Sequence, residues 1–285
     1  MSDKSNAFGA PDTGHVWDEN LRELTNPPPK WWMIGLHASW ILVVVYAILY
    51  PFWPTLDSHT KGVLNWTAIG EYKDSLAAIE EVRSKYESKL PGMSAAAILT
   101  DSELSNYVQR SAKVLFGDNC AACHGAGGQG NPGYPVLADD DWLYGGDINA
   151  IMTSITNGRK GNMPAHSGTL SAQELDDVAR HVQALSQGSE YAPGKEIFMG
   201  KGACFACHGV EGKGMAALGA ANLTDALWRF GDGSVESIKH TVANGVNAPD
   251  NAQTRNAEMP AWSGRLTDSE IKKLAVYVHQ MGGGQ

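Results

Sequence analysis

The sequence AKVLFGDNCAACHG, residues 112–125, recurs as GKEIFMGKGACFACHG at 194–209, and this pair of segments decides the fold. Each segment ends in Cys-x-x-Cys-His followed by glycine. All four cysteines of the 285-residue chain belong to these two motifs, so none remains for a structural disulfide or a free thiol. A functional interpretation must therefore account for two cysteine pairs, each with its own histidine.

The Cys-x-x-Cys-His motif is typical of covalent haem c attachment. Its spacing places both thiols on one helical turn, where they reach the two vinyl groups of one porphyrin, with the histidine beneath the iron. A zinc half-site or a thioredoxin-like redox pair also uses Cys-x-x-Cys, but a zinc site would unite the two pairs in one centre. Because each pair lies in its own repeat and is followed at once by histidine, we expect two covalently bound haem c groups. The residues that would hold them are Cys120, Cys123, His124, Cys204, Cys207 and His208.

The later part of each repeat supplies a candidate sixth ligand for the iron. The segment 161–185 matches 257–281 at a constant offset of 96 residues, and Met163 recurs as Met259 in a Met-Pro-Ala string. A thioether opposite histidine raises the reduction potential and suits an electron carrier. His166 is an alternative ligand, but it has no counterpart in the second copy. We therefore expect the two methionines to be axial ligands, while the sequence leaves open whether each serves the haem of its own repeat.

Four further residues are candidates for contacts with the haem propionates. An indole N–H and a guanidinium are suitable donors to carboxylates, although core tryptophans and solvated arginines are the alternative interpretation. The candidates are Trp142, Arg159, Trp228 and Arg255. The glycine-rich strings 124–130 and 208–214 superficially resemble nucleotide-binding loops. No strand precedes them, so a tight turn around a haem edge is the better interpretation.

Each repeat predicts the same order of α-helical elements. An apolar-periodic helix leads into the cysteine motif, a glycine-rich loop follows, and the methionine loop precedes an amphipathic helix. Ser171 with Glu174, and Thr267 with Glu270, predict capping boxes at the start of that last helix. No convincing strand pattern is present. Domains this small usually need a staple, which a bound macrocycle would supply.

One long apolar segment precedes the repeats. WWMIGLHASWILVVVYAILYPFW, residues 31–53, has 23 residues without a formal charge. A helix of this length crosses a hydrocarbon layer of about 30 Å. A cleavable signal peptide is the alternative, but a polar leader precedes the segment and no small-x-small cleavage site follows it. Within the segment, His37 indicates either packing against a neighbouring helix or a functional polar group.

The predicted fold is all-α, with a single N-terminal transmembrane helix followed by two tandem class I cytochrome c-type domains. The predicted boundaries are a leader over 1–30, a transmembrane helix over 31–53, a helical connecting arm over 54–104, and domains over 105–188 and 189–285. Covalent haem attachment takes place outside the cytoplasm. We therefore expect a single-pass protein of the bacterial inner membrane with a cytoplasmic N-terminus and periplasmic haem domains. The net charge of −9 argues against binding to nucleic acid, which requires basic patches.

The chain resembles the CcoP/FixP family, the dihaem subunits of cbb3-type cytochrome c oxidases. The resemblance rests on the string NPPPKWW (26–32) at the membrane entrance, one span, a helical arm, and two tandem haem motifs with Met-Pro-Ala loops. It covers nearly the whole chain. One departure is that the segment from Asn244 to Met259 is nine residues longer than the segment from Asn157 to Met163.

The resemblance implies a subunit that relays electrons within a membrane oxidase. The implied partners are a catalytic haem–copper subunit, a monohaem cytochrome c subunit and a soluble periplasmic donor cytochrome c, with oxygen reduction coupled to proton pumping. The isolated chain offers no catalytic centre of its own. The leading alternative is a membrane-anchored dihaem cytochrome c that serves another respiratory complex or a dehydrogenase. A dihaem peroxidase would need an open sixth position, whereas this sequence offers methionine to both haems.

Overall fold

The computed structural model describes residues 11–19 and 21–285. The chain divides into two compact units, residues 1–82 and 83–285. The first ten residues and Asn20 of the predicted leader lie outside the described residues.

The first unit contains a short hairpin and a long helix. Strands β1 (Asp12–Trp17) and β2 (Leu21–Leu24) pair antiparallel, and Arg22 Nη1 lies 2.7 Å from Asp12 Oδ2 across them. The sequence analysis predicted no strand in this leader. The hairpin's side chains are mostly exposed, so it has no buried alternation from which it could be predicted.

Helix α1 spans Lys30–Leu49, and among the described residues it is the one helix long and apolar enough to cross a membrane. None of its residues is buried within the chain, as expected of a helix that faces lipid or partner helices. It ends four residues before the predicted boundary at Trp53. Pro51 explains this early end, because proline and the residue before it disfavour helical geometry. His37 Nδ1 lies 2.6 Å from the carbonyl oxygen of Met33 one turn earlier.

Helix α2, Ala68–Glu87, begins in the first unit and ends in the second. The remaining helices are α3 (Ala95–Thr100), α4 (Ser102–Asn119), α5 (Ala121–His124), α6 (Ile148–Asn157), α7 (Ala172–Ser186), α8 (Ala192–Met199), α9 (Phe205–His208), α10 (Val235–Asn244) and α11 (Asp268–His279). Two short strands, β3 (Arg159–Lys160) and β4 (Glu258–Met259), pair antiparallel. Short 3-10 turns occupy Leu90–Gly92 and Ala216–Leu218.

Both predicted capping boxes are confirmed. In α7, the Glu174 N–H donates to Ser171 Oγ at 3.3 Å and the Ser171 N–H donates to Glu174 Oε2 at 2.7 Å. In α11, the Glu270 N–H donates to Thr267 Oγ1 at 3.3 Å and the Thr267 N–H donates to Glu270 Oε2 at 2.8 Å. Each box satisfies backbone N–H groups that the first helical turn would leave without acceptors.

The second unit has two hydrophobic cores. The first core is formed by α3, α4, α6 and α11, with α11 packed against both α4 and α6. Leu90 and Ile98 are fully buried in it. Both residues fall within the segment 54–104 that the sequence analysis assigned to a connecting arm. The later part of that arm therefore belongs to the first core.

The second core is formed by α7, α8 and α10. Phe198 of α8 packs with Val178 and Val182 of α7, and with Val242 of α10. Only the residues from Gln187 to Tyr191 connect α7 to α8, so these consecutive helices are neighbours in space, as short connections favour.

The two cores do not coincide with the two sequence repeats. Helix α7 is the last helix of the repeat 105–188, but it packs with α8, the first helix of the next repeat. Helix α11 is the last helix of the repeat 189–285, but it packs with α4 of the preceding repeat. The last helix is thus exchanged between the two repeats, which are the two halves of the second unit. This arrangement satisfies both amphipathic faces equally well because the repeats present equivalent apolar partners.

Candidate functional site

Each Cys-x-x-Cys-His motif forms one helical turn at the edge of a different core. The first motif forms α5, directly after α4, and Cys120 packs against the first core. The second motif forms α9, and Cys204 packs against the second core. Burial raises the pKa of both thiols to about 11, which keeps them neutral at pH 7. The cysteine pairs therefore belong to two separate sites, as haem attachment requires and as a single zinc centre does not.

The two histidines are fixed by equivalent hydrogen bonds. His124 Nδ1 lies 3.0 Å from the Pro135 carbonyl oxygen, and His208 Nδ1 lies 2.9 Å from the Ala221 carbonyl oxygen. A carbonyl only accepts, so Nδ1 carries the proton and Nε2 keeps its lone pair for a metal. Burial lowers the pKa of both imidazoles and favours this neutral form. Such an orienting bond is what haem-ligating and other metal-ligating histidines use.

The glycine-rich strings after the motifs are tight turns, as the sequence predicted. The Gly130 N–H donates to the His124 carbonyl oxygen at 2.7 Å, and the Gly214 N–H donates to the His208 carbonyl oxygen at 2.8 Å. Both glycines have positive φ angles, +76° and +80°, a region that other residues rarely adopt. The turns bring the carbonyl acceptors for the histidines back beneath the motif.

The methionine loops cross between the halves. Met259 lies in β4, pairs with Arg159 of β3, and packs against the first core. Met163 pairs with Val246 through two backbone hydrogen bonds of 2.9 and 3.0 Å and packs against the second core. Each methionine therefore shares a core with the cysteine motif of the other repeat.

Two glycines allow this crossing. Gly158, at the end of α6, has φ +69°, and a Cβ there would lie 2.7 Å from the backbone nitrogen of Ala261. Gly245, at the end of α10, has φ +72°, and a Cβ there would lie 2.9 Å from the backbone nitrogen of Ala165. Both distances are too short for a real side chain. Glycine at these positions lets each Met-Pro-Ala loop rest directly on the helix end of the opposite half.

The longer second loop closes on itself before it reaches Met259. The Asn247 N–H donates to the Arg255 carbonyl oxygen at 2.8 Å, and the Ala257 N–H donates to Asn247 Oδ1 at 3.0 Å. Asn247 Nδ2 also donates to the carbonyl oxygen of Gly161 in the first methionine loop, at 2.7 Å. The nine additional residues therefore leave the pairing of Met259 with β3 intact.

The four propionate candidates have different surroundings. The Trp142 indole N–H donates to the Gly283 carbonyl oxygen, so this donor already has a protein acceptor. Arg159 Nε donates to Ser154 Oγ at 2.9 Å, and its guanidinium lies 4.4 Å from the centre of the Tyr144 ring. Trp228 packs against the second core.

Arg255 is the fourth candidate, and its Nε is buried without a hydrogen-bond partner. Arg229 Nε, which the sequence analysis did not single out, is buried in the same unpaired way. Buried guanidinium donors without partners are rare, because leaving them unpaired is unfavourable. Together with the neutral imidazoles of His124 and His208 and the neutral thiols of Cys120 and Cys204, they fit an anionic macrocycle such as haem c.

Sequence reasoning missed the carbonyl acceptors of Pro135 and Ala221. No property of these side chains indicates the role, because the backbone performs it. A usable signal was a leucine that follows each acceptor by two residues, Leu137 after Pro135 and Leu223 after Ala221. The Leu137 N–H donates to the Gly128 carbonyl oxygen at 2.6 Å, and the Leu223 N–H donates to the Gly212 carbonyl oxygen at 2.7 Å. Aligning the loops on those leucines pairs the two acceptors.

Fold and site together define a c-type cytochrome with two cytochrome c domains and one helix that is a candidate membrane anchor. Family profiles match three consecutive segments: the N-terminal domain of cbb3 cytochrome oxidase FixP over 9–57, cbb3-type cytochrome c oxidase subunit III over 108–182, and cytochrome c over 191–282. A cbb3-type cytochrome c oxidase subunit FixP of Azorhizobium caulinodans is 39% identical over 98% of this chain and 95% of its own length. A CcoP subunit of Cereibacter sphaeroides is 35% identical over 96% of both chains. The chain belongs to this CcoP/FixP family.

Proposed function

We propose that this protein is the dihaem electron-transfer subunit of a cbb3-type cytochrome c oxidase. The observation that supports the proposal best is the pair of equivalent sites, each with a cysteine turn, an oriented histidine and a methionine loop in one core. The names of its relatives agree with this function. Bound haem c would supply reversible one-electron chemistry at each site.

The ligand assignment that follows from the packing is crossed. Cys120, Cys123, His124 and Met259 would together hold the first haem. The corresponding set for the second haem is Cys204, Cys207, His208 and Met163. Pairing within one repeat would require each methionine to leave the core against which it packs. Arg255 is the best supported of the predicted propionate contacts, because its buried Nε has no protein partner.

The chain's own residues would orient the histidine of each site and supply a methionine to it. The hydrogen bonds to Pro135 and Ala221 hold both imidazoles in the tautomer whose Nε2 is free to bind a metal. The methionine loops would supply each haem with a thioether from the opposite half, which favours electron transfer over reaction with oxygen or peroxide. No residue is needed to donate or accept a proton at these sites.

The proposed location is the bacterial inner membrane, with α1 as the single anchor. Its length and exposed apolar surface support this role. The N-terminus would lie in the cytoplasm and the haem domains in the periplasm, since haem c is attached on that side. The proposed partners are the catalytic haem–copper subunit, the monohaem cytochrome c subunit and a soluble periplasmic donor cytochrome c, from which electrons would pass towards oxygen reduction and proton pumping.

Purification of the full chain from its native membrane tests the proposal. A pyridine haemochrome assay of the chain separated from its partners should give two haem c per chain, and metal and haem analysis of the intact detergent-solubilised complex should find copper and haem b. Two haem c without copper or haem b would instead favour a dihaem carrier of another respiratory complex or a dehydrogenase. Unmodified cysteines without haem would refute both versions.

A further inference from the structure

One arginine breaks the symmetry between the two halves. The strings DWLYGG (141–146) and LWRFGD (227–232) correspond at their tryptophans, Trp142 and Trp228. Their aromatic residues, Tyr144 and Phe230, also correspond. Between them, Leu143 stands where the second half has Arg229. A charged group therefore occupies a position that is apolar in the other half.

Arg229 lies against the loop of the first haem motif, although it belongs to the second repeat. Its carbonyl oxygen accepts a hydrogen bond of 3.1 Å from the Gly133 N–H, in the loop between His124 and its acceptor Pro135. The next residue, Phe230, is so close that a Cβ added at Gly133 would lie 3.9 Å from its Cε1. The backbone thus fixes Arg229 across the boundary between the halves.

The equivalent position in the first repeat, Leu143, has corresponding surroundings. Tyr144 lies against Gly219 in the loop of the second motif, as Phe230 lies against Gly133 in the loop of the first. Leu143, the neighbour of Tyr144, is therefore the counterpart of Arg229 on the opposite side. At this pair of positions, Arg229 brings a cation to the loop of the first motif, whereas Leu143 brings none to the loop of the second.

The guanidinium of Arg229 lacks a partner for one of its donors. Its Nε is buried and makes no hydrogen bond. Burial lowers the pKa of Arg229, while the negative charges of Asp141 and Asp139 oppose that effect. A guanidinium with a buried, unpaired donor beside this loop suits an anion with two oxygens.

We propose that Arg229 binds a propionate of the haem held by Cys120 and Cys123, so that the second half of the protein sets the potential of the first haem. The inference rests on the proposed function, because it requires haem at the first motif. Arg229 would contact the haem directly. By neutralising an anion beside the haem, it favours the reduced form and raises that haem's midpoint potential.

The test is a spectroscopic redox titration of the full chain, separated in detergent from its partner subunits, in which its two haem c groups are resolved as two midpoint potentials. Arg229→Leu copies the residue of the other half and should lower one midpoint while the other stays unchanged. Arg229→Lys should restore part of the shift, because it keeps the charge without the fork of donors. Leu143→Arg should raise the midpoint that Arg229→Leu leaves unchanged. Arg110→Leu, which removes an exposed arginine from α4, is the matched control and should move neither.

The results separate this proposal from the function on which it rests. Two haem c per chain in the unaltered protein support the function, whatever the variants do. If Arg229→Leu keeps both haems and both midpoints, or moves the two midpoints equally, Arg229 is only structural and the proposal is wrong. If Arg229→Leu does not fold, Arg229→Lys decides, since loss of the bidentate donor must still lower the same single midpoint.

Discussion

Replacing Gly158 by alanine should displace the methionine loop of the opposite repeat. The combination of φ +69° and ψ −179° is essentially restricted to glycine and is unfavourable for alanine by about 1–3 kcal/mol. The new Cβ would also lie 2.7 Å from the backbone nitrogen of Ala261 and 2.8 Å from the carbonyl carbon of Pro260. Such overpacking against backbone typically adds about 1–3 kcal/mol. We therefore expect the variant to lose about 3 kcal/mol of unfolding free energy.

Thermal unfolding of the haem-loaded protein measures this loss. For a unit of this size, about 3 kcal/mol corresponds to a fall in Tm of roughly 6–12 °C. The displaced loop carries Met259, so the weak near-infrared absorption band of methionine–iron ligation should also diminish. Gly168→Ala is the matched control, because a Cβ there meets no atom within 4 Å. A Gly158→Ala protein with the Tm of the control and an undiminished band would refute the crossed packing.

Further variants test ligation, capping and acid stability. In a chain whose second cysteine motif is removed, Met259→Leu should abolish the methionine–iron band of the remaining haem and Met163→Leu should keep it; the reverse would establish pairing within a repeat. Thr267→Ala should reduce the unfolding free energy by about 1 kcal/mol through loss of the cap, measured by denaturant titration. The Lys201 ammonium and the capping hydrogen bonds lower the pKa of Glu174 from 4.5 to about 2. Its stabilising effect should therefore be complete above pH 4.5 and decline towards pH 2, and Glu174→Gln should remove that part of the acid dependence in unfolding curves.

Local features of this chain were predictable because short segments determine them. The cysteine turns α5 and α9 and the two capping boxes require only residues within one helical turn of each other. The end of α1 at Leu49 was equally local, since Pro51 was visible in the sequence, but the prediction extended the helix to the last tryptophan. The hairpin of the leader gave no signal because neither of its faces is buried.

The exchange of the last helices could not be predicted from the sequence. Helices α7 and α11 have matching apolar patterns, so each could pack with the first helix of either half. Which packing forms depends on the short connection after α7 and on Gly158 and Gly245, which leave room for the methionine loop of the opposite repeat. The role of Leu90 and Ile98 was missed for a related reason, since a few buried positions in a polar segment give no clear periodicity.

The exchanged helix α11 also determines the order in which the protein can be completed during synthesis. The first cysteine motif emerges from the ribosome long before Asp268–His279, the helix that closes its core. Until the last residues have been synthesised, the first core lacks both α11 and the loop that carries Met259, the proposed sulfur ligand. A chain truncated near its C-terminus would therefore leave incomplete the first core, whose cysteine motif is synthesised earliest.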